Sequence, residues 1–355
     1  MPDRLKVGIV GCGFIAEKRH IPTFLRLKRD VVLQAVCDQN ENLARDTANK
    51  HHIPKVYSEL SEMLSAESLD IVDICTPPQI HAQLAVQAIE HGCHVLMEKP
   101  MALKTSDCDK MISAAQKSGV KLCVVHNTIF YSPFLKARNI VAEGAIGEFT
   151  GMRILLSDPR EEMILKKDYW IHKLPGGLIG ETGPHLVYMS LAFLNQVKSV
   201  DIYAKNFLEH PWAPFDEFRI ELEGEKAISS VTVSYTSNRH AACVDILGTE
   251  GILHLDLQSM ILIRHRSQES LKPLALTYHS LSTAAQIMAG VAANAFKVAT
   301  GKVKLGQDII IERFVDGILN NHESPVTAEE GRETVRVMEM IVDRLHQKYG
   351  VNGVT

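Results

Sequence analysis

Short apolar runs alternate with amphipathic stretches over the first 125 residues, and few folds accommodate that rhythm. Candidate strands are Lys6–Val10, Val31–Cys37, Ile71–Cys75, His94–Met97 and Lys121–Val125, with a shorter one near Val56. Helical patterns fill the gaps at Asn40–His51, Ile80–His91 and Ser106–Lys117. Strands that are apolar on both faces and joined by helices build a parallel sheet covered on both sides. The expectation is a doubly wound α/β domain over residues 1–125.

From residue 126 the rhythm changes. A helix over Pro133–Glu143 ends at Gly144, and another is expected to begin near Pro184. The stretches SVDIYAKNF, EFRIELEG, AISSVTVSYTS, ACVDILGTEGILHLDL and MILIRHR alternate with period two. That pattern predicts a large, mostly antiparallel sheet with one open face, in an α+β domain over residues 126–355. Helices are expected at Gln307–Asn320 and Glu329–Lys348. The alanine-rich run 282–302 is too short and too interrupted by lysine to span a bilayer, and reads as a packed helix.

Charge narrows the partners. With 38 basic against 42 acidic side chains and a net charge of −4, nothing recruits nucleic acid or an anionic membrane. The N-terminal MPDRLKVGIVG lacks the pattern of an export signal, so a cytoplasmic protein is expected. Seven scattered cysteines with no C-x-x-C pair read as reduced core residues. No set of histidines and carboxylates has metal-ligand spacing, and His51-His52 and Arg264-His265-Arg266 read as solvated surface.

The first strand runs into Gly11-x-Gly13-x-x-Ala16. The first glycine turns the chain, the second admits a pyrophosphate to the backbone, and the small third residue lets helix pack on strand. Gly11, Gly13, Phe14, Ile15 and Ala16 are therefore candidate cofactor-binding residues. Asp38 ends the second strand, where a carboxylate accepts hydrogen bonds from the adenosine ribose and repels a 2′-phosphate. Gln39 and Asn40 add no cation, so NAD is expected rather than NADP. The alternative for Asp38 is a cap on the following helix.

Ligands of open α/β sheets bind at the carboxyl ends of the strands. ICTPP ends the fourth strand and VLMEKP the fifth, which puts Lys99 on the same edge as the glycine loop. The sequence resembles the Gfo/Idh/MocA family through GCGFIAEKRHIP, VDICTPPQIHAQLAVQAIEHGCHVLMEKPMA, EGAIGEF, GGLIGETGPH and GTEGILHLD. The likeness runs over nearly the whole chain. It implies a Rossmann domain followed by a domain on a large, mostly antiparallel sheet. It places Lys99 beside the nicotinamide and the reacting carbon, where a cation stabilises an alkoxide. It also implies that Glu98 contacts the nicotinamide side, and that Thr76, Pro77, Pro78 and His81 line the cofactor.

The second catalytic segment is GGLIGETGPHLVYMSLAFL. Pro184 suits a first helical turn with Thr182 or Gly183 as cap, which would put His185 near the helix N-terminus and keep its ring neutral. The family's acidic-x-x-x-His pattern makes His185 the candidate general base, with Glu181 orienting it. Three departures touch the expected substrate pocket. Glu181 stands where relatives carry aspartate, Tyr188 where many carry a second aspartate, and Ile129 where an arginine is common. Asn127, Trp170 and Tyr188 are candidate substrate-binding residues, and His126, Tyr169 and His172 weaker ones.

The resemblance implies an NAD-dependent dehydrogenase that oxidises a secondary alcohol of a sugar, polyol or sugar derivative, or runs in reverse. Two alternatives stay open: a redox-assisted glycosidase or lyase that holds its NAD, and a non-catalytic dinucleotide or sugar sensor. An exposed sheet face favours self-association, so a homodimer or homotetramer is expected.

Overall fold

The structure is a computed structural model that describes residues 4–159, 166–267 and 272–350. The chain divides into two compact units, Met1–Asn127 with Lys304–Arg336, and Thr128–Val303 with Val337–Thr355.

The first unit is built on six parallel strands, β1 (Leu5–Val10), β2 (Val31–Cys37), β3 (Lys55–Tyr57), β4 (Ile71–Ile74), β5 (His94–Met97) and β6 (Leu122–Val124). Their order is β3-β2-β1-β4-β5-β6. Every residue of β4 is buried, as a sheet covered on both faces requires. Helices α1 (Ile21–Arg26), α2 (Glu41–His51), α3 (Leu60–Ala66), α4 (His81–Glu90) and α5 (Thr105–Ser118) make the crossovers. Asn40, rather than Asp38, caps α2, its side chain accepting from Leu43 N at 3.2 Å. The expected strands are all present, and β2 and β5 have the expected ends. None of the seven cysteines forms a disulfide, and six of them are buried.

The second unit carries a seven-stranded sheet. After α6 (Ser132–Ala142) come β7 (Phe149–Ser157) and α7 (Leu178–Leu194), then β8 (Ser199–Lys205), β9 (Glu217–Glu223), β10 (Ile228–Ser234), β11 (Ala241–Gly248), β12 (Gly251–Asp256) and β13 (Ile261–Arg266). The order is β13-β12-β11-β7-β10-β9-β8, and only β7 and β10 run parallel. The sequence reading did not single out β7, the central strand. Gly151 and Met152 are both buried, which breaks the alternation that reveals the others. A side chain at 151 would press on Ile228 O at 2.7 Å.

The helix α8 (Pro273–Ala299) departs from the expectation of a packed helix, since none of its residues is buried. One stripe ties it to β13 and the turn before it. Gln286 bonds both Arg264 N, at 2.9 Å, and Arg264 O, at 3.2 Å. Gly290 rests on Ile261, and Asn294 Nδ2 donates to Ser259 O at 2.7 Å. Elsewhere Leu281 is 65% exposed, Met288 72% and Phe296 65%. Arg264 itself is half-buried and donates to Ala145 O, so it is not the solvated residue expected. His51 is also half-buried and pairs with Glu17 at 3.1 Å.

The expected boundary after residue 125 misses a return of the chain. Residues 304–336 rejoin the first unit through α9 (Gly306–Leu319) and the start of α10 (Ala328–Tyr349). Asp308 Oδ1 accepts from Thr23 Oγ1 at 2.6 Å and from Arg26 at 2.5 Å, while Oδ2 takes Leu305 N at 2.8 Å. A Cβ on Gly306 would fall 1.8 Å from Asn127 O, so only glycine permits this approach. No periodicity signals such a long-range anchor.

Candidate active site

In the first unit the glycine loop leaves β1 at Gly11, whose φ of 91° belongs to the region that glycine enters freely. A Cβ there would lie 2.6 Å from Cys75 O, so the turn nests against the end of β4. Gly13 has open space around it, Phe14 is 75% exposed, Ile15 is half-buried and Ala16 is fully buried under the loop. Asp38 braces this loop. Its Oδ2 accepts from Cys12 N at 2.8 Å and its Oδ1 from Asn40 N at 2.8 Å. Each oxygen keeps a second acceptor site for a ribose hydroxyl.

The loops after β4 and β5 are clamped by a residue expected to line the cofactor. His81 is fully buried, with Nε2 at 2.8 Å from Thr76 O and Nδ1 at 2.9 Å from Pro100 O. Burial lowers its pKa against the pull of those carbonyls. Its role here is to join the two loops. Pro78 is buried, whereas Pro77 is exposed. Thr76 Oγ1 is buried and has no hydrogen-bond partner among the described residues. An orphaned buried hydroxyl is costly and points to an absent acceptor or donor, so the strand ends suit a dinucleotide.

Glu98 and Lys99 follow β5, joined to Pro100 by a cis peptide. Glu98 is 9% exposed, and its Oε2 accepts from Lys99 N at 3.2 Å. Its Oε1 lies 3.0 Å from His20 Nε2, and His20 Nδ1 lies 2.8 Å from Asp73 Oδ2. Lys99 is half-exposed. Sequence reading missed His20 and Asp73. Burial of a histidine in the turn after the glycine loop is a tertiary fact, with no local pattern to announce it. His20, Asp73 and Cys75 place donor atoms within 4.8 Å of one another. Burial and the Asp73 charge push the Cys75 thiol up, and it donates to Asp73 Oδ2 at 3.6 Å. The thiol so held serves Asp73 as a hydrogen-bond donor.

In the second unit the expected helix start is displaced. Gly176 and Gly177, with φ of 79° and 61°, break the chain, and α7 begins at Leu178. Pro184 therefore lies inside the helix, and neither Thr182 nor Gly183 is its cap. His185 is beyond the first turn, where the helix dipole has faded, so the expected electrostatic reason for a neutral ring does not hold.

A different arrangement governs this histidine. Its Nδ1 lies 2.6 Å from Tyr188 Oη, whose own proton goes to Thr128 Oγ1 at 2.8 Å and which accepts from Thr128 N at 3.1 Å. With the hydroxyl proton spent on Thr128, the arrangement favours the tautomer that donates Nδ1–H to Oη and keeps the basic lone pair on Nε2. Tyr188 is 2% exposed and holds the histidine from beneath. Glu181 sits one turn before His185 on the less buried face of α7, and its Oε2 accepts from Thr182 Oγ1 at 3.2 Å. Thr182 is held by Tyr235 Oη at 2.6 Å. Trp170 is half-buried, with its ring 6.1 Å from that of Tyr169. Asn127, at 8% exposed, belongs to the first unit, and Ile129 is 7% exposed.

Family models match both parts of the chain. Residues 5–126 match the oxidoreductase family with an NAD-binding Rossmann fold, and residues 134–254 match the GFO/IDH/MocA C-terminal domain. The chain belongs to the Gfo/Idh/MocA oxidoreductases. Residues 5–126 accordingly form an NAD-binding Rossmann domain.

The uncharacterized oxidoreductase YrbE of Bacillus subtilis is 26% identical over 95% of this chain and 93% of its own length. The D-glucoside 3-dehydrogenase of Escherichia coli is 33% identical over 144 residues, 41% of each chain. For oxidoreductase P35 of Formosa agariphila the match spans only 64% of that protein. Among solved structures, a levoglucosan dehydrogenase in complex with NADH superimposes with a TM-score of 0.81 at 18% identity, covering 98% of both chains. The WlbA dehydrogenase of Bordetella pertussis, solved with NADH and UDP-GlcNAcA, gives 0.78 at 20% identity over 98% of both. These two likenesses establish the fold. Among the described residues no helix is long and apolar enough to cross a membrane.

Proposed function

We propose that this Gfo/Idh/MocA chain is a dehydrogenase that moves a hydride between a secondary hydroxyl of a sugar, polyol or sugar derivative and NAD. The observation that carries the reading is the hydrogen-bond pattern at Tyr188, which leaves Nε2 of His185 as the basic nitrogen. A sensor needs no such proton acceptor. NAD, when bound, takes up the hydride. His185 Nε2 removes the hydroxyl proton, and Nδ1–H stays bound to Tyr188 Oη as the ring becomes cationic. Glu181, one turn away, stabilises that cation, and the Lys99 ammonium stabilises the developing alkoxide. Trp170 offers a flat apolar face to a sugar ring. NAD is favoured over NADP because Asp38 presents a carboxylate and no cation follows it.

The test is NADH formation by the purified protein with sugars, inositols and sugar acids, alongside Lys99→Ala and His185→Ala. Turnover lost in both variants with NAD binding intact supports the reading, and unchanged turnover in His185→Ala overturns it. Silence across the panel with NAD retained through purification favours the redox-assisted lyase or glycosidase. Tighter binding of NADP than NAD overturns the cofactor preference.

We also infer that the chain self-associates in the cytoplasm, through α8 and not only through the open sheet face. The helix carries a single full charge, Lys297, among its residues Pro273–Ala299, and ordinary solvated helices are far more polar.

A further inference from the structure

The two halves of a doubly wound sheet bind the two halves of a dinucleotide, across the point where strand order reverses. Here that point lies between β1 and β4. Asp38 ends β2, so the adenosine half belongs over β1–β3, and the nicotinamide half over the carboxyl ends of β4–β6. A side chain on β4, one after β5 and one from the helical segment after the glycine loop form a continuous buried chain. Asp73 is on β4, paired in register with Ile9 of β1, and is 0% exposed. His20, in the turn after the glycine loop, is also 0% exposed and bridges Asp73 Oδ2 at 2.8 Å to Glu98 Oε1 at 3.0 Å. Only the Glu98 side chain reaches solvent, at 12%.

We propose that His20 is a positioning residue that sets the preference of the site for oxidised over reduced cofactor. The trio is carboxylate, imidazolium, carboxylate, with a net charge of minus one. That charge is delivered at Glu98, the only member that faces outward. The oxidised nicotinamide ring is a cation and the reduced ring is neutral, so a fixed negative charge beside the ring binds NAD⁺ more tightly than NADH. The inference rests on the reading that Glu98 stands next to the nicotinamide.

His20 has the properties this needs. Burial disfavours the imidazolium, but the Asp73 carboxylate and its hydrogen bond outweigh that cost and hold the pKa well above the ordinary value. Both ring nitrogens are committed to carboxylates, which fixes the ring and leaves Glu98 one orientation. Without the central imidazole, Glu98 loses the partner that fixes its Oε1, and its carboxylate is free to turn its charge away from the ring.

The experiment is to measure the dissociation constants of NAD⁺ and NADH for the full-length protein, His20→Gln and Glu98→Gln. The ratio of the two constants is the readout, because a merely structural role would weaken both forms alike. The expected result is that each variant loses roughly tenfold in affinity for NAD⁺ relative to NADH, the scale of one screened charge–charge contact. Should His20→Gln fail to fold, the near-isosteric Glu98→Gln decides alone. Affinities that fall in step, or a ratio unchanged in Glu98→Gln, overturn the proposal while the cofactor assignment stands. A wild-type protein that binds neither nucleotide overturns both.

Discussion

Tyr188 Oη sits 2.6 Å from His185 Nδ1, on the same helix and nearly a full turn further on. The same oxygen accepts from Thr128 N, so one buried phenol joins the loop after β6 to the base carried by α7. A neutral partner in that place fixes the tautomer without adding a charge to stabilise the protonated ring.

Tyr188→Phe is therefore expected to lower kcat roughly tenfold to a hundredfold, with KM little changed, because the base remains but its tautomer is no longer held. The variant also removes the hydrogen bond that Tyr188 Oη accepts from Thr128 N, at about 0.5–1.5 kcal/mol of stability. Steady-state kinetics on any accepted substrate, with denaturant unfolding alongside, checks both. A parallel rise in KM would show that Tyr188 touches substrate after all.

Thr76→Val should separate stability from binding. Thr76 Oγ1 is buried without a partner, so a methyl in its place leaves the free protein as stable or more stable by up to about 1 kcal/mol. Affinity for NAD is expected to fall roughly fivefold to tenfold. Calorimetric titration with NAD and thermal unfolding without it test the two halves of the claim.

His126 makes stability fall as the solution is acidified. Burial depresses its pKa to about 3, so between pH 6.5 and 3 the unfolded chain binds a proton that the folded chain refuses. Stability therefore declines as pH drops through that window, by about 2 kcal/mol from this residue between pH 6.5 and 5. In His126→Phe, the loss of stability between those two pH values should shrink by that amount in urea unfolding. An identical pH dependence in both proteins would show that His126 titrates normally.

Met288→Glu and Leu281→Lys, both on the exposed surface of α8, should shift the protein to a 39.5 kDa particle in sedimentation without altering its unfolding transition. If the wild-type protein is already that size, or the variants assemble unchanged, α8 is not the contact.

The parallel sheet was legible because burial on both faces leaves unbroken apolar runs, and β2 and β5 show this to the residue. The glycine loop and Asp38 were legible because a phosphate-binding turn needs particular residues at fixed spacing. Local pattern does not carry what tertiary packing decides. His20 reads as one more polar residue in EKRH until β4 and β5 bury it. Pro184 reads as a helix start because nothing local announces that Gly176-Gly177 already opened the helix. Asp308 finds Thr23 and Arg26 across nearly the whole chain, a pairing invisible to any window.

The return of residues 304–336 has a consequence for synthesis. When the first 127 residues leave the ribosome, Asp308 and Gly306 are still unmade, so Thr23, Arg26 and Asn127 wait for these contacts. The whole second sheet is therefore synthesised before the first unit receives its last segment.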